Sequence, residues 1–168
     1  MDTCAEERFG RHAVKLAAIG SSAILALVAG AAVYALDRDW ASTLFLSHFA
    51  GLQAGRIGFF GLLGGNLPSF FHAYAFALLL IILLGRSPHA RQMGAALWFL
   101  AAVTLECLQA EQVKAVLGGA VSLADQPAYL ASINAYIENG HFDPGDVAAA
   151  ALGCLAAWAI SFILEDKS

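Results

Sequence analysis

The sequence predicts an all-α integral membrane protein, a single-domain bundle of four transmembrane helices. Only 13% of its 168 residues are charged and 60% are hydrophobic, whereas a soluble domain carries about 25% charged residues. Several uncharged apolar runs approach the ~20 residues that a helix needs to cross a hydrocarbon core. The Lys and Arg residues between these runs are distributed unevenly, which gives the predicted bundle an orientation.

The first span is predicted from Leu16 to Leu36, a run without a charged residue. Residues 1–15 precede it and form a predicted cytoplasmic tail. Val33-Tyr-Ala35 resembles the small-residue cleavage site of a secretory signal peptide, which is the alternative interpretation. The apolar run is longer than the ~7–15-residue core of such a signal, and this favours a retained helix.

Residues 41–65 form a mixed stretch after the first span. Aromatic residues are interrupted there by His48, Gln53, Arg56 and several glycines, so no continuous apolar run exists. The pattern predicts an interfacial helix followed by a re-entrant or cavity-lining loop. Trp40, just ahead of it, is expected at the level of the lipid headgroups.

The other three spans follow in order. The second is predicted from Leu67 to Leu84, and the third runs from Met93 to about Ala110 with polar residues near its far end. Residues 111–142 are polar and mixed, and they have no predicted role. The last span is predicted from Val147 to Leu164, so the transmembrane domain covers 16–164 and a tail of 165–168 follows.

Basic residues predict the orientation in the membrane. If the N-terminus is cytoplasmic, four spans return the C-terminus to the same side of a bacterial inner membrane. Cytoplasmic loops carry an excess of Lys and Arg. Six of the nine basic residues then fall on the cytoplasmic side: Arg8, Arg11, Lys15, Arg86, Arg91 and Lys167.

Polar residues are predicted to meet at the outer end of the bundle. Ser69 with His72 and Glu106 with Gln109 are three positions apart, so the members of each pair share one helix face; Asp143 and Asp146 lie at the outer start of the last span. His72 lies about 8 Å inside its helix start, and Glu106 lies at a similar depth below the end of the next span. The predicted binding cluster combines the three pairs: Ser69 with His72, Glu106 with Gln109, and Asp143 with Asp146.

Local explanations also exist for most of these residues. Asp143-Pro144-Gly-Asp146 is typical of a helix start, with Asp143 as the N-cap, Pro144 as the first helical residue and Asp146 as the third, a variant of the capping box. Asn66 is a second candidate cap, and His72 could bond to a backbone carbonyl. Glu106 is the hardest to explain locally, because an ionised carboxylate within a span must be paired, protonated or close to water.

Several classes of partner are not expected from the composition. The net charge is −4 and no basic patch with interleaved aromatic residues occurs, so nucleic acid is not a predicted partner. The three cysteines show no C-x-x-C spacing, so no zinc site or redox pair is predicted. No cofactor or metal site is predicted, and no catalytic residue is assigned.

Three blocks of residues resemble the VanZ-like family of small bacterial membrane proteins. They are Leu67-Pro-Ser-Phe-Phe-His72-x-Tyr-x-Phe, Glu106-x-x-Gln109, and Phe142-Asp143-x-x-Asp146 followed by Gly153. The resemblance covers residues 66–164. It implies that His72, Glu106, Gln109 and Asp146 are characteristic polar positions, and it implies a cell-envelope setting linked to glycopeptide resistance.

Three hypotheses of function follow. The first is a polar pocket at outer-leaflet depth that binds a membrane lipid headgroup or a lipid-linked envelope precursor. The second is a small intramembrane metal-dependent hydrolase, with His72 as base or ligand and Glu106 and Asp146 as acid or co-ligands. The third is a structural or assembly subunit with a membrane protein partner, because small residues on the last helix permit close helix contact.

Overall fold

The computed structural model describes residues 3–37, 51–52, 58–85, 87, 89–118, 137–138 and 140–166. These residues form helices and turns and contain no strand, so the predicted all-α class is confirmed for them. The helices, in chain order, are α1 (Thr3–Asp37), a 3-10 helix (Gly61–Gly65), α2 (Leu67–Leu84), α3 (Ala90–Leu108), α4 (Glu111–Gly118) and α5 (Pro144–Asp166).

Three of the described helices contain a stretch that is long and apolar enough to cross a membrane. These stretches are Ala13–Asp37 in α1, Leu67–Leu84 in α2 and Pro144–Ile163 in α5. They correspond to the first, second and fourth predicted spans. The third predicted span corresponds to α3, which is not among them. Residues 1–15 were predicted as a tail ahead of the first span, but α1 already begins at Thr3.

The predicted interfacial or re-entrant segment lies largely outside the described residues. Of residues 41–65, only 51–52 and 58–65 are described. Asp37, at the end of α1, binds this described part. Its two carboxylate oxygens accept hydrogen bonds from the backbone N–H groups of Phe59 and Phe60, each at 2.7 Å. One side chain thus fixes the turn that leads into the 3-10 helix.

Helix α2 is the centre of the bundle, since it packs against α1, α3 and α5. Pro68 lies in its first turn, where a residue without a backbone N–H leaves one fewer donor that needs an acceptor. Its end is set by Gly85, which has φ +65° and donates its N–H to the Ile82 carbonyl. The buried core consists mainly of small side chains that allow close helix approach.

Contacts between side chains show how the helices run. The Ser22 hydroxyl of α1 lies 2.6 Å from the Tyr74 hydroxyl, and Gly30, further along α1, faces Phe71 near the start of α2. Helices α1 and α2 are therefore antiparallel. On the other side, the Arg91 guanidinium at the start of α3 lies 4.9 Å from the Phe162 ring centroid near the end of α5.

One end of the bundle therefore collects the end of α1 and the starts of α2 and α5. Glu106, near the end of α3, also lies there, within hydrogen-bond range of the start of α5. The polar residues that the sequence assigns to the outer side lie at this end. The opposite end holds the start of α1, the α2–α3 turn and the end of α5.

Candidate functional site: an acidic cluster at one end of the bundle

Asp143 begins α5 as the sequence predicts. Its Oδ1 accepts a hydrogen bond of 2.7 Å from the backbone N–H of Gly145, and Pro144 is the first helical residue. This is an N-cap, in which a carboxylate satisfies a backbone donor that has no partner within the helix. A Cβ at Gly145 would lie 2.6 Å from Nδ2 of Asn66, so a larger residue there would displace the Asn66 amide. The predicted cap is confirmed.

Asp146 ties α5 to α2. Its Oδ1 accepts hydrogen bonds from the Ser69 hydroxyl at 2.7 Å and from the Asn66 amide at 3.1 Å. The Asn66 amide also reaches Oδ2 of Asp143 at 3.3 Å. The prediction that Asn66 caps its own helix is wrong, since its side chain makes no capping bond. The amide is instead directed at the two aspartates, because they are strong acceptors within its reach.

Glu106 approaches the same point from α3. Its Oε2 lies 3.4 Å from the backbone nitrogen of Asp143, a long hydrogen bond. In a capping box, this N–H is bound by an acidic residue three positions into the same helix. Here that residue, Asp146, points to α2, and a carboxylate from another helix takes its place. Glu106 is half-buried.

We call Asn66, Ser69, Glu106, Asp143 and Asp146 the acidic cluster. Within the described part of the chain, Asp143 and Asp146 receive hydrogen bonds only from uncharged donors: an amide, a hydroxyl and a backbone N–H. Asp143 is exposed and Asp146 is half-buried. Asp143 and Asp146 therefore present acceptor oxygens to which no cation among the described residues is bound, and such carboxylates attract a positively charged group.

His72 does not join the acidic cluster through any hydrogen bond among the described residues. Its ring stacks on Tyr34 of α1 with centroids 5.7 Å apart, and it also lies 6.3 Å from the Phe76 ring. Gly30 of α1 lies beside this ring, since a Cβ there would be in ordinary contact with Nε2 of His72, at 3.7 Å. The histidine thus faces α1, while Ser69, one turn earlier, faces α5.

Gln109 donates its backbone N–H to the Glu106 carbonyl, but its side chain has no described hydrogen bond to the acidic cluster. It ends α3, and its side chain is only 5% exposed. The side-chain amide packs directly against Gly140, where a Cβ would overlap its oxygen. The predicted site residues therefore separate into two groups. Ser69, Glu106, Asp143 and Asp146 meet, whereas His72 and Gln109 pack elsewhere.

Lys114 of α4 is a residue that the sequence analysis did not single out. Its ammonium donates to the Gly140 carbonyl at 2.6 Å, to the Glu138 carbonyl at 3.2 Å and to Oε1 of Glu111 at 2.9 Å. The hydrogen bond from Lys114 lowers the pKa of Glu111. Lys114 thereby holds the chain just before α5. Only the Glu111–Lys114 spacing of three was a sequence signal, because the other partners are backbone atoms.

A metal centre is not formed by the described residues, which contain no group of three or more His, Cys, Asp or Glu side chains that could hold an ion. Of the residues proposed as ligands, His72 faces α1, away from the hydrogen bonds that join Glu106 and Asp146 to the ends of α5 and α2.

Comparisons with known proteins identified no relative of this chain. No family model matches the chain, and no curated protein or solved structure matches it either. The function must therefore be inferred from the chemistry of the acidic cluster and its place in the bundle.

Proposed function

We propose that the chain is a VanZ-like integral membrane protein of the bacterial cell envelope. Its acidic cluster would bind the headgroup of a membrane lipid or of a lipid-linked envelope precursor at outer-leaflet depth, in a setting linked to glycopeptide resistance. The proposal rests on the carboxylates that α3 and the start of α5 bring together. Among the described residues, Asp143 and Asp146 accept hydrogen bonds only from uncharged donors. All three carboxylates of the cluster, and Ser69, belong to the sequence blocks that resemble the VanZ-like family.

The chemistry of the cluster favours a headgroup that contains an amine. An ammonium donates several hydrogen bonds and neutralises a carboxylate, whereas a phosphate alone would be repelled by it. Oδ1 of Asp146 already accepts two described bonds, from Ser69 and Asn66. A carboxylate has about four acceptor sites in total, so Asp146 retains capacity for an ammonium donor.

Four spans with both termini in the cytoplasm remain our proposed topology. In it, α3 crosses the membrane between α2 and α5, against both of which it packs. The acidic cluster then faces outward, and the turn at 85–89 faces the cytoplasm. The segment 41–65 would lie at the outer interface, where exposed Phe59 and Leu63 contact lipid.

Lipid retention by the purified protein tests this function. Native mass spectrometry would compare phosphatidylethanolamine, which has an amine, with phosphatidylglycerol, which has none. We expect a preference of about fivefold for the amine lipid, the equivalent of ~1 kcal/mol for a partly exposed ion pair. Asp146→Asn should abolish this preference because it removes the charge and keeps an acceptor oxygen.

Glu138→Gln is the matched control for this experiment. Glu138 is an exposed carboxylate just before α5, and its side chain makes no described contact with the acidic cluster. The control should keep the amine preference of the wild type. Equal retention of both lipids by the wild type, or an unchanged preference in Asp146→Asn, would contradict the proposed function.

The two alternative functions gain no specific support from the described residues. A hydrolase would need His72 close to Glu106 and Asp146. In the described part of the chain, His72 stacks on Tyr34 of α1 instead, and no group of potential metal ligands forms. For an assembly subunit, the small residues of α5 were the expected interface. Gly153, Ala150 and Ala157 are instead buried within the bundle, so their close contacts are intramolecular.

A further inference from the structure

A groove of about 380 Å³ lies between α1 and α2. Small side chains on α1 open it, since Ala26 and Ala29 leave space opposite the aromatic residues of α2. The rings of Phe70 and Tyr74 lie nearly parallel, with centroids 6.4 Å apart. The lining residues are Leu25, Ala26, Ala29, Phe70, Phe71 and Tyr74.

The groove has an apolar surface throughout. Tyr74 is its one residue with a polar side-chain group, and that hydroxyl is bound to the Ser22 hydroxyl at 2.6 Å. Both walls belong to stretches that can cross a membrane, and Leu25 at the rim is 68% exposed. The groove therefore opens sideways into hydrocarbon, and its occupant must be apolar.

An acyl chain fits the groove better than a second helix does. From Leu25 to Ala29 the wall rises about 6 Å, a little more than one helical turn. Helix pairs in membranes need small residues that let the backbones approach. Three exposed residues beside the groove, Ile24, Leu25 and Val28, are bulky, and they would hold a partner backbone away.

Along the axis of α2, the groove and the acidic cluster lie at neighbouring depths, with about 100° between Ser69 and Phe70 around the helix. Phe70 directly follows Ser69, whose hydroxyl donates to Asp146. A lipid whose headgroup lies at the cluster would have its chains at this depth. We propose that the groove between α1 and α2 binds an acyl chain of the lipid whose headgroup occupies the acidic cluster, an inference that rests on the proposed function.

Photo-crosslinking in vesicles tests this inference. The probe is phosphatidylethanolamine with a diazirine on one acyl chain, diluted into phosphatidylcholine vesicles that contain the protein. Crosslinks in the wild type should map to Leu25, Phe70 and Phe71. Ala29→Phe should reduce the yield at these residues about threefold, a modest effect because lipid tails are as apolar as the groove.

Two further variants make the result specific. Ala32→Phe adds the same ring at an exposed position of α1 outside the groove and should leave the yield unchanged. Leu25→Trp covers the groove from its exposed rim, so it should reduce the yield without entering the buried core. An unchanged yield in both Ala29→Phe and Leu25→Trp would overturn the inference, as would crosslinks between two copies of the chain through this groove.

Asp146→Asn separates failure of the groove from failure of the headgroup site. If both sites bind one lipid, this variant also lowers the yield in the groove. If Asp146→Asn loses amine preference but groove blocking has no effect, the groove inference is wrong and the proposed function stands. If groove blocking lowers the yield while Asp146→Asn changes neither yield nor preference, the headgroup proposal is wrong.

Discussion

Replacement of Gly153 by alanine is expected to destabilise the bundle by about 3 kcal/mol. A Cβ at this position would overlap the Phe70 carbonyl oxygen and would lie 3.0 Å from the Tyr74 nitrogen. Both atoms belong to the α2 backbone, so no side-chain rotation can relieve the contact. Helix α5 would have to move away from α2 and lose packing along their interface. Thermal unfolding in detergent would measure the loss.

Gly20→Ala is the matched control for this substitution. Gly20 also lies within a long helix, but a Cβ there would meet nothing within 4 Å. Alanine favours helix over glycine by about 1 kcal/mol in soluble hosts, so this control should be neutral or slightly stabilising. A Gly153→Ala protein as stable as Gly20→Ala would contradict the close α2–α5 contact described here.

Asp146→Ala is expected to lower the free energy of unfolding by about 2 kcal/mol. The change removes the oxygen that accepts from Ser69 at 2.7 Å and from Asn66 at 3.1 Å. It leaves two half-buried donors without their acceptor, which costs more than the net value of the bonds. Asp146 also lies in the first turn of α5, where a negative charge interacts favourably with the helix dipole.

Two other variants separate these contributions. Asp146→Asn retains an acceptor oxygen and should lose less than half as much stability. In a double-mutant cycle, Ser69→Ala should show a coupling of about 1 kcal/mol with Asp146→Ala, because the two side chains share one hydrogen bond. Additive effects would mean that Ser69 and Asp146 do not interact in the folded protein.

Local sequence signals predicted both ends of α2 and the start of α5. The range of α2 agrees with the uncharged run from Leu67 to Leu84, because Pro68 and Gly85 act on their immediate neighbours. The start of α5 was also predictable, since Asp143, Pro144 and their spacing form a cap within one turn. Such signals depend on a few adjacent residues, which a sequence displays directly.

The partner of each polar side chain was not predictable in the same way. Ser69 and His72 are three positions apart, which predicts a shared face. They still differ by about 60° around the helix axis, and α2 has neighbours on several sides. That difference directs Ser69 to Asp146 of α5 and His72 to Tyr34 of α1. The partner of His72 lies on another helix, and no spacing on α2 reveals it.

The contact of Glu106 with the start of α5 was likewise hidden. The sequence predicted that Glu106 and the start of α5 lie at the same end of the bundle, but it did not predict a contact between them. Whether Glu106 reaches the Asp143 N–H depends on how α3 is rotated against α5. The same limit applies to Lys114, because two of its three acceptors are backbone carbonyls, which every residue has.

In the proposed topology, the acidic cluster faces the outer leaflet. Labelling with a membrane-impermeant maleimide tests it most directly, in a protein whose three natural cysteines are replaced. Phe142→Cys adds an exposed thiol beside Asp143, and Ser87→Cys adds one in the α2–α3 turn. We predict that intact cells label Phe142→Cys and that Ser87→Cys reacts only after permeabilisation; the reverse pattern would contradict the account.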